Sequence, residues 1–329
     1  MNFSPIKKNR EVLINTAPAM RYDFKMDFTA WQKQAREKLV ELLGIDMMIP
    51  TEPSFTIVSK TSIETYDETV YSIASEKNYS FTSTLRTPKG VSGKLPVAIC
   101  LFGHADDLLQ SVDGTDGRDL CKQALDRGYA SLSVEQRSFD NCFAVRDITP
   151  EEAPTRTTWC ACYRSSMRAF LLGRTTIGER VWDIMRSLDA LLANFDNIDD
   201  ENIVIVGNNG NGTAAYYAAA VDERIGAVIA SNGVATYESS IATFSHCVCN
   251  YIPNVASYFD MGDFGGLIAP RKLVLVGTIK DNWFPERGLR AAYAMIEKLY
   301  AAAGASDNSK LVINDGERRF DPHAWELIK

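Results

Sequence analysis

A glycine- and asparagine-rich turn constrains the fold of this chain more than any other feature. Residues 202–206 read Asn-Ile-Val-Ile-Val, a short apolar run that is typical of a strand covered on both faces. The turn at 207–212, Gly-Asn-Asn-Gly-Asn-Gly, follows at once, and small residues then predict a helix over 213–221. Glycines in such a turn allow neighbouring backbone to approach closely. A buried strand, a tight turn and a helix in this order predict one unit of a parallel sheet.

Strands and helices alternate over the second part of the chain. Apolar runs and amphipathic spacing predict strands at 95–102, 129–134, 225–230, 272–276 and 310–313, and helices at 120–127, 177–194 and 286–303. This alternation predicts an α/β protein with a mostly parallel central sheet and helices on both faces.

The segment before residue 95 has a different pattern. Trp31, Ala35 and Leu39 recur at helical spacing, and residues 54–86 alternate between apolar and polar as antiparallel strands do. We predict an N-terminal arm and helix over 1–50 and an α/β domain over 51–329. Within that domain, residues 138–175 read as an irregular insertion near the site.

Composition limits the partners of this protein. The 329 residues carry a formal net charge of −7, which argues against nucleic acid and against an anionic membrane surface, because no basic surplus meets phosphates. No apolar stretch approaches the ~20 residues that span a bilayer, and the first residues lack the apolar region of a signal peptide. These features predict a cytoplasmic protein, and they are compatible with a homo-oligomer.

The seven cysteines and three histidines do not form a recognisable metal motif. The pairs Cys160/Cys162 and Cys247/Cys249 have one intervening residue, whereas zinc sites usually have about two to four. We therefore predict reduced thiols, no metal and no cofactor. His246 fits core packing better than a ligand role, because no third and fourth ligands are visible in its surroundings.

The turn at 207–212 resembles the Gly-x-Ser-x-Gly turn that holds the nucleophile in α/β hydrolases. In this chain Asn209 has the position of the serine, and Asn211 has that of the closing glycine. An acidic partner is expected after a later strand, where Asp281 lies. A histidine is expected after the last strand, but that loop holds no histidine before His323.

Taken together, the chain resembles the acetylxylan-esterase-like and dienelactone-hydrolase-like branch of the α/β hydrolases. The resemblance covers residues 95–329 and depends on the segments 172–183, 207–212, 221–225, 247–253 and 268–271. In that branch the turn resembles Gly-Asn-Ser-Gly-Gly-Gly-Thr and the final loop resembles Gly-x-His-Arg-Phe. The resemblance implies a nucleophile position at Asn209, an acid at Asp281 and a base position at Arg318. It also implies an oxyanion hole built from backbone N–H groups near His104 or Ala105 and of Gly210.

Two of these three positions hold residues that cannot perform the usual chemistry. An asparagine amide is a poor nucleophile, and an arginine with a pKa above about 12 cannot accept the proton of a serine. We therefore predict a pseudoenzyme that has lost serine-esterase chemistry and retains a pocket for a small molecule, either a carbohydrate ester or an anion. Two alternatives stay open: an active carbohydrate or acyl ester hydrolase with a non-standard residue set, and a non-catalytic subunit that partners an active homologue.

Several side chains around this site have two interpretations each. Arg318 either binds a carboxylate-like anion or pairs with Asp281. Arg137 follows a predicted strand and either positions a ligand or forms an ion pair with Glu179 or another carboxylate. Trp283 is predicted to line the pocket mouth, together with Trp159, Cys160 and Tyr163.

Overall fold

The computed structural model describes residues 4–101, 119–138, 161–243, 246–316 and 318–328. At its centre is a nine-stranded sheet with the order β1-β2-β3-β5-β4-β6-β7-β8-β9. The strands are β1 (Phe55–Ser62), β2 (Tyr66–Glu76), β3 (Tyr79–Pro88), β4 (Leu95–Leu101), β5 (Ala130–Val134), β6 (Ile198–Asn208), β7 (Ala227–Ser231), β8 (Lys272–Thr278) and β9 (Ser309–Asn314).

The sheet is antiparallel at one side and parallel over the rest. Strands β1, β2, β3 and β5 pair antiparallel in turn, whereas β5, β4, β6, β7, β8 and β9 all run in the same direction. The predicted α/β class with a mostly parallel sheet is confirmed. Because β6 to β9 are parallel neighbours, the loops that follow them meet at one edge of the sheet.

Helices flank the sheet. They are α1 (Pro5–Asn15), α2 (Phe28–Leu43), α3 (Leu120–Leu125), α4 (Ala161–Leu171), α5 (Thr176–Asn194), α6 (Gly210–Val221), α7 (Gly265–Ile268) and α8 (Glu286–Ala302). Short 3₁₀ turns lie at Ile45–Met47, Val248–Asn250, Val255–Ser257, Met261–Phe264, Ser306–Asn308 and Pro322–Ile328. Across the described ranges, no helix has the length and apolar character needed to cross a membrane.

Alternating side chains of the central strands separate two hydrophobic layers. In β4, Val97, Ile99 and Leu101 belong to the larger core cluster, whereas Ala98 and Cys100 belong to the smaller cluster on the other face. This distribution follows from the period of two in a strand, and it explains why β4 reads as a continuous apolar run.

The N-terminal helix α2 belongs to the larger of these layers. Asp27 caps its first turn by accepting from the N–H of Ala30, and Gly44 ends it in the left-handed conformation. Its buried residues Trp31, Ala35 and Leu39 pack in the same cluster as the sheet. The predicted N-terminal helix is thus confirmed, and α2 is an integral part of the core.

The prediction that residues 138–175 are irregular is wrong for the second part of this segment. Residues Ala161–Leu171 form α4, in which Cys162, Ser166 and Ala169 are buried at the spacing of one helix face. The segment 139–160, with Trp159 and Cys160, lies outside the described residues. That the whole segment 138–175 is an insertion stays a prediction.

Candidate ligand site at the strand-to-helix turn

Asn209 is the single residue between β6 and α6, and its backbone is strained. Its φ of 58° and ψ of −133° lie in a region that L-residues rarely adopt, at a cost of about 1–3 kcal/mol. The N–H of Asn209 donates to the carbonyl of Ser231 at 2.9 Å, and its own carbonyl accepts from Thr213 at 3.2 Å. The turn thus holds residue 209 in one defined orientation at the end of the strand.

Three glycines make this turn sterically feasible. A Cβ at Gly207 would lie 2.1 Å from the carbonyl oxygen of Asn211, and one at Gly212 would lie 2.3 Å from that of Ser231. A Cβ at Gly233 would lie 2.4 Å from the amide nitrogen of Thr213. These contacts are far below van der Waals separation, so the close approach of strand, turn and helix requires glycine at all three positions.

Buried amide groups without partners lie in and beside the turn. Among the described residues, no hydrogen-bond donor reaches Oδ1 of Asn209 or Oδ1 of Asn232, and both amide atoms of Asn211 lack partners. An unsatisfied buried polar group costs about 1–3 kcal/mol, so such groups usually meet a ligand or an ordered water. This concentration of unsatisfied groups distinguishes the turn from an ordinary packed core.

Asp281 lies in the loop after β8, where the sequence predicts the acid. Its side chain is only 1% exposed. Oδ1 accepts from the N–H groups of Trp283 at 2.7 Å and Phe284 at 3.1 Å. Oδ2 is buried and has no hydrogen-bond partner in the described part of the chain. The carboxylate is therefore fixed through one oxygen and retains acceptor capacity at the other.

Arg318 lies against Asp281, as one of the two interpretations of this arginine predicts. Its Nη1 is 3.8 Å from Oδ1 of Asp281, which is close enough for an ion pair but too long for a hydrogen bond. The Arg318 side chain is 35% exposed, so its guanidinium also faces solvent. This contact agrees with the ion-pair interpretation, and the binding of an anion by Arg318 stays a prediction.

Asn232 connects the turn to the loop that carries Arg318. Its Nδ2 donates to Oδ1 of Asn208 at 3.0 Å and to the carbonyl of Arg319 at 3.2 Å. Asn232 follows β7 and has a φ of 49°. Asn209, Asn232, Asp281 and Arg318 thus follow four adjacent parallel strands, and hydrogen bonds and an ion pair link their loops.

The predicted oxyanion hole is described only in part. His104 and Ala105 lie outside the described residues. Gly210 is the first residue of α6 and is buried. The N-terminus of that helix carries a partial positive charge, which favours an anion beside Asn209.

Arg137 forms ion pairs, as its second interpretation predicts. Its guanidinium contacts Asp183 at 2.7 Å, Glu76 at 3.0 Å and Glu179 at 3.6 Å. Burial alone would lower the pKa of Arg137, but the carboxylates of Asp183 and Glu179 raise it above its ordinary value. Arg137 therefore anchors a buried charge network, and a contact between Arg137 and a ligand stays a prediction.

Trp283 belongs to the loop that holds Asp281, and His246 packs against this loop. The Trp283 side chain is 45% exposed, which suits the predicted position at a pocket mouth. Its carbonyl is 3.0 Å from Nε2 of His246, which also lies 3.0 Å from Oγ of Ser240. Burial lowers the pKa of His246, although the Asp281 carboxylate opposes that shift. His246 thus packs under the loop, whereas His323 is exposed in the segment Pro322–Ile328.

The structure also brings together three cysteines that the sequence analysis did not connect. The sulfur atoms of Cys162, Cys247 and Cys249 all lie within 4.8 Å of one another. The short local spacing of the Cys247/Cys249 pair argues against a metal motif, and Cys162 is distant in sequence. Only the packing of α4 against Val248–Asn250 reveals the cluster.

An apolar cavity of about 400 Å³ lies apart from these groups, between α1 and residues 237–257. Ile6, Leu13, Tyr237 and Tyr251 are among its lining residues, and neither Asn209, Asp281 nor Arg318 lines it. The cavity is therefore not the site that the turn defines.

Comparison with solved structures defines the class of this fold. No protein-family model matches the chain. The structure is similar to that of a putative acetyl xylan esterase from Bacteroides fragilis, with a TM-score of 0.76, 18% identity and coverage of 98% of this chain and 84% of the other. It is also similar to a glucuronoyl esterase from Solibacter usitatus, with a TM-score of 0.67, 17% identity and coverage of 95% of both chains. The chain therefore has the α/β-hydrolase fold.

Sequence comparison finds a relative whose name describes it as a hydrolase. The chain is 28% identical to the Bacillus subtilis protein Putative hydrolase YtaP over 237 residues, which are 68% of this chain and 73% of the relative. The resemblance to esterases of the α/β-hydrolase fold is confirmed at the level of the fold. The loss of the catalytic residues' function stays a prediction.

Proposed function

We propose that this chain is an esterase-like α/β-hydrolase-fold protein that has lost serine-esterase chemistry and binds a sugar carboxylate at the former catalytic site. The observation that carries the proposal is the pairing of Arg318 with Asp281, 3.8 Å apart, beside an intact strand-to-helix turn that presents Asn209. In a serine hydrolase, the corresponding acid orients a histidine. Here the acid faces a permanent cation.

Side-chain chemistry argues against hydrolysis by the usual route. Asn209 offers no hydroxyl that could form an acyl-enzyme, and the guanidinium of Arg318 holds its protons at any physiological pH. The neighbouring His246 contacts Ser240 and the Trp283 carbonyl through Nε2, and among the described residues no hydrogen bond joins it to Asn209.

The hydrogen-bond donors and acceptors of the site favour a ligand with both a carboxylate and hydroxyl groups. Arg318 offers exposed N–H donors, which suit a carboxylate. Oδ1 of Asn209 and Oδ2 of Asp281 are buried acceptors without a donor among the described residues, and a sugar hydroxyl that reached them would supply one. The names of the structural neighbours, an acetyl xylan esterase and a glucuronoyl esterase, point to carbohydrate esters as well. A uronate combines these properties.

Calorimetric titration with D-glucuronate and with D-glucose tests this proposal. We expect the native protein to bind glucuronate more tightly than glucose, because only the acid pairs with Arg318. Arg318→Ala should weaken glucuronate binding about tenfold or more, since a hydrogen bond to a charged group is worth about 1.5–3 kcal/mol. The glucose affinity should change little.

The neighbouring arginine provides a matched control. Arg319 is exposed and also carries a positive charge, so Arg319→Ala removes the same net charge from the same loop. We expect this variant to bind glucuronate like the native protein. Equal losses in both variants, or no binding of glucuronate to the native protein, would contradict the proposal.

A further inference from the structure

Two segments of the chain contribute three thiols to one buried cluster. Cys162 comes from the first turn of α4, whereas Cys247 and Cys249 lie at the short turn Val248–Asn250. All three sulfur atoms lie within 4.8 Å of one another, and those of Cys247 and Cys249 are 3.1 Å apart. Cys162 is 1% exposed and Cys249 is fully buried, but Cys247 is partly exposed.

The spacing of the sulfur atoms suits a single thiophilic ion. A zinc–sulfur bond of about 2.3 Å and tetrahedral angles place neighbouring sulfur ligands about 3.8 Å apart. The observed cluster spans this separation, so small side-chain movements are enough to bring all three sulfur atoms into the coordination sphere. Because Cys247 reaches the surface, an ion and a solvent ligand have access from that side.

A buried arginine side chain lies beside the cluster, where it would balance the negative charge of the thiolates that a divalent ion does not neutralise. Three thiolates around one divalent ion carry one net negative charge. The fully buried guanidinium of Arg180 lies against the cluster, with Nη2 3.4 Å from the sulfur of Cys162. Nε and Nη2 of Arg180 also donate to the carbonyl of Arg137 at 3.1 and 2.9 Å, which fixes its orientation. An N–H donor held beside a thiolate is a common outer partner of metal ligands.

We propose that Cys162, Cys247 and Cys249 form a binding site for one thiophilic divalent ion of the zinc type, with Arg180 as the charge partner. On binding, each thiol releases its proton to solvent and its sulfur forms a bond to the ion. The fourth position lies on the side of Cys247 and accepts water or another donor. The ion connects α4 to the segment that carries His246, and His246 in turn contacts the Trp283 carbonyl beside Asp281.

Cobalt substitution tests this site without reference to any activity. The full-length protein is purified under reducing conditions, freed of metal with a chelator and titrated with Co²⁺. We expect an absorption band from thiolate-to-cobalt charge transfer that saturates at about one ion per chain, as a single tetrahedral thiolate site requires. Added Zn²⁺ should displace the cobalt and abolish the band.

Cysteine variants separate the cluster from the other thiols. Cys162→Ser and Cys249→Ser should weaken Co²⁺ binding at least tenfold. Cys121→Ser, which alters a buried cysteine outside the cluster, should leave binding unchanged. Cys247 is partly exposed, so Cys247→Ser should fold even if the two buried changes impair folding. This variant should also weaken Co²⁺ binding.

Three results would overturn the proposal. One is the lack of a charge-transfer band in the reduced native protein. Another is an equal loss of binding in Cys121→Ser and in the folded Cys247→Ser variant. The third is a disulfide within the cluster that persists under the reducing conditions of the titration.

Discussion

At the scale of single residues, two side chains decide what this site can do. Asn209 keeps the strained backbone of a nucleophile position, with a φ of 58°, but has an amide where a hydroxyl is needed. Arg318 lies beside the acid at the distance of an ion pair, and it cannot carry a proton to and from a substrate. In the function that we propose, the backbone of the α/β-hydrolase fold therefore coexists with side chains that favour binding.

Replacing both residues should give the site part of the serine-esterase chemistry that we propose it has lost. We expect Asn209→Ser with Arg318→His to hydrolyse p-nitrophenyl acetate well above either single variant, because nucleophile and base act as a unit. The Asp281 carboxylate, fixed by the N–H groups of Trp283 and Phe284, is available to orient the introduced imidazole. Initial rates with purified variants measure the effect.

Asp281→Asn provides the control for that rescue. Added to the double variant, this change should remove most of the regained activity, since the amide no longer stabilises the imidazolium. A double variant that stays at the rate of its single parents would mean that the pocket differs from a hydrolase site in more than these two residues.

The sequence predicted where the candidate site residues lie on the fold better than it predicted their contacts, and their role in a functional site stays a prediction. Asn209, Asp281 and Arg318 follow from positions in a recognisable pattern of strands and turns. The pairing of Arg318 with Asp281 was one of two alternatives, because a side chain's partner depends on loop geometry that the sequence does not show. Arg137 likewise pairs with Glu179 or another carboxylate, as one alternative states, and the structure adds which ones: Asp183 on the same helix α5 and Glu76 at the end of β2.

At the scale of elements, the turn between β6 and α6 keeps its form because its neighbours are glycines. The carbonyl oxygens of Asn211 and Ser231 occupy the space that a Cβ at Gly207 or Gly212 would need. These contacts hold the end of β6 close to the start of α6 and to β7. The turn is thus a rigid support for residue 209, whatever side chain that residue carries.

Gly207→Ala should therefore destabilise the protein strongly. The added Cβ lies 2.1 Å from a backbone oxygen, so the turn must move, and we expect a loss of about 1–3 kcal/mol or more in the free energy of unfolding. Chemical denaturation followed by circular dichroism measures this loss.

Gly226→Ala is the matched control at a neighbouring strand. Its Cβ would meet backbone oxygens at 3.5 and 3.6 Å, which are ordinary contacts, so this variant should differ little from the native protein. If Gly207→Ala is as stable as Gly226→Ala, the close packing of the turn does not hold in solution.

Most helices and strands were predictable from the sequence. Those that were predicted wrongly have physical reasons. The strand predicted at 202–206 begins earlier, at Ile198, because the charged residues 199–201, of which 200 and 201 are exposed, conceal the first part of β6. The helix α4 was missed because its buried face consists of Cys162, Ser166 and Ala169, which are small or polar residues. A pattern that depends on large apolar side chains cannot detect such a face.

At the scale of the whole molecule, the two N-terminal helices differ in their connection to the core. Helix α1 has no buried residue, and Ile6, Val12 and Ile14 are exposed. In α2, by contrast, Trp31 is 2% exposed, and its Nε1 donates to the carbonyl of Met20 at 2.8 Å. A large apolar side chain with a satisfied polar atom is a strong anchor.

Trp31→Ala should therefore cost about 3–5 kcal/mol of unfolding free energy, as truncation of a buried aromatic residue usually does. Deletion of residues 1–15, which removes α1, should change the same quantity by less than about 1 kcal/mol, because no residue of α1 is buried. Urea denaturation of both variants makes the comparison. A deletion as costly as Trp31→Ala would show that α1 contributes to the core in solution.

The central claim is that a hydrolase fold persists here without serine-esterase chemistry, and one assay tests it most directly. The rate of p-nitrophenyl acetate hydrolysis is measured for the native protein and for Asn209→Ala under the same conditions. We predict that the two rates are equal and stay at the background set by buffer and by non-specific surface groups. A native rate clearly above that of Asn209→Ala would contradict the claim, because it would make Asn209 part of a working catalytic site.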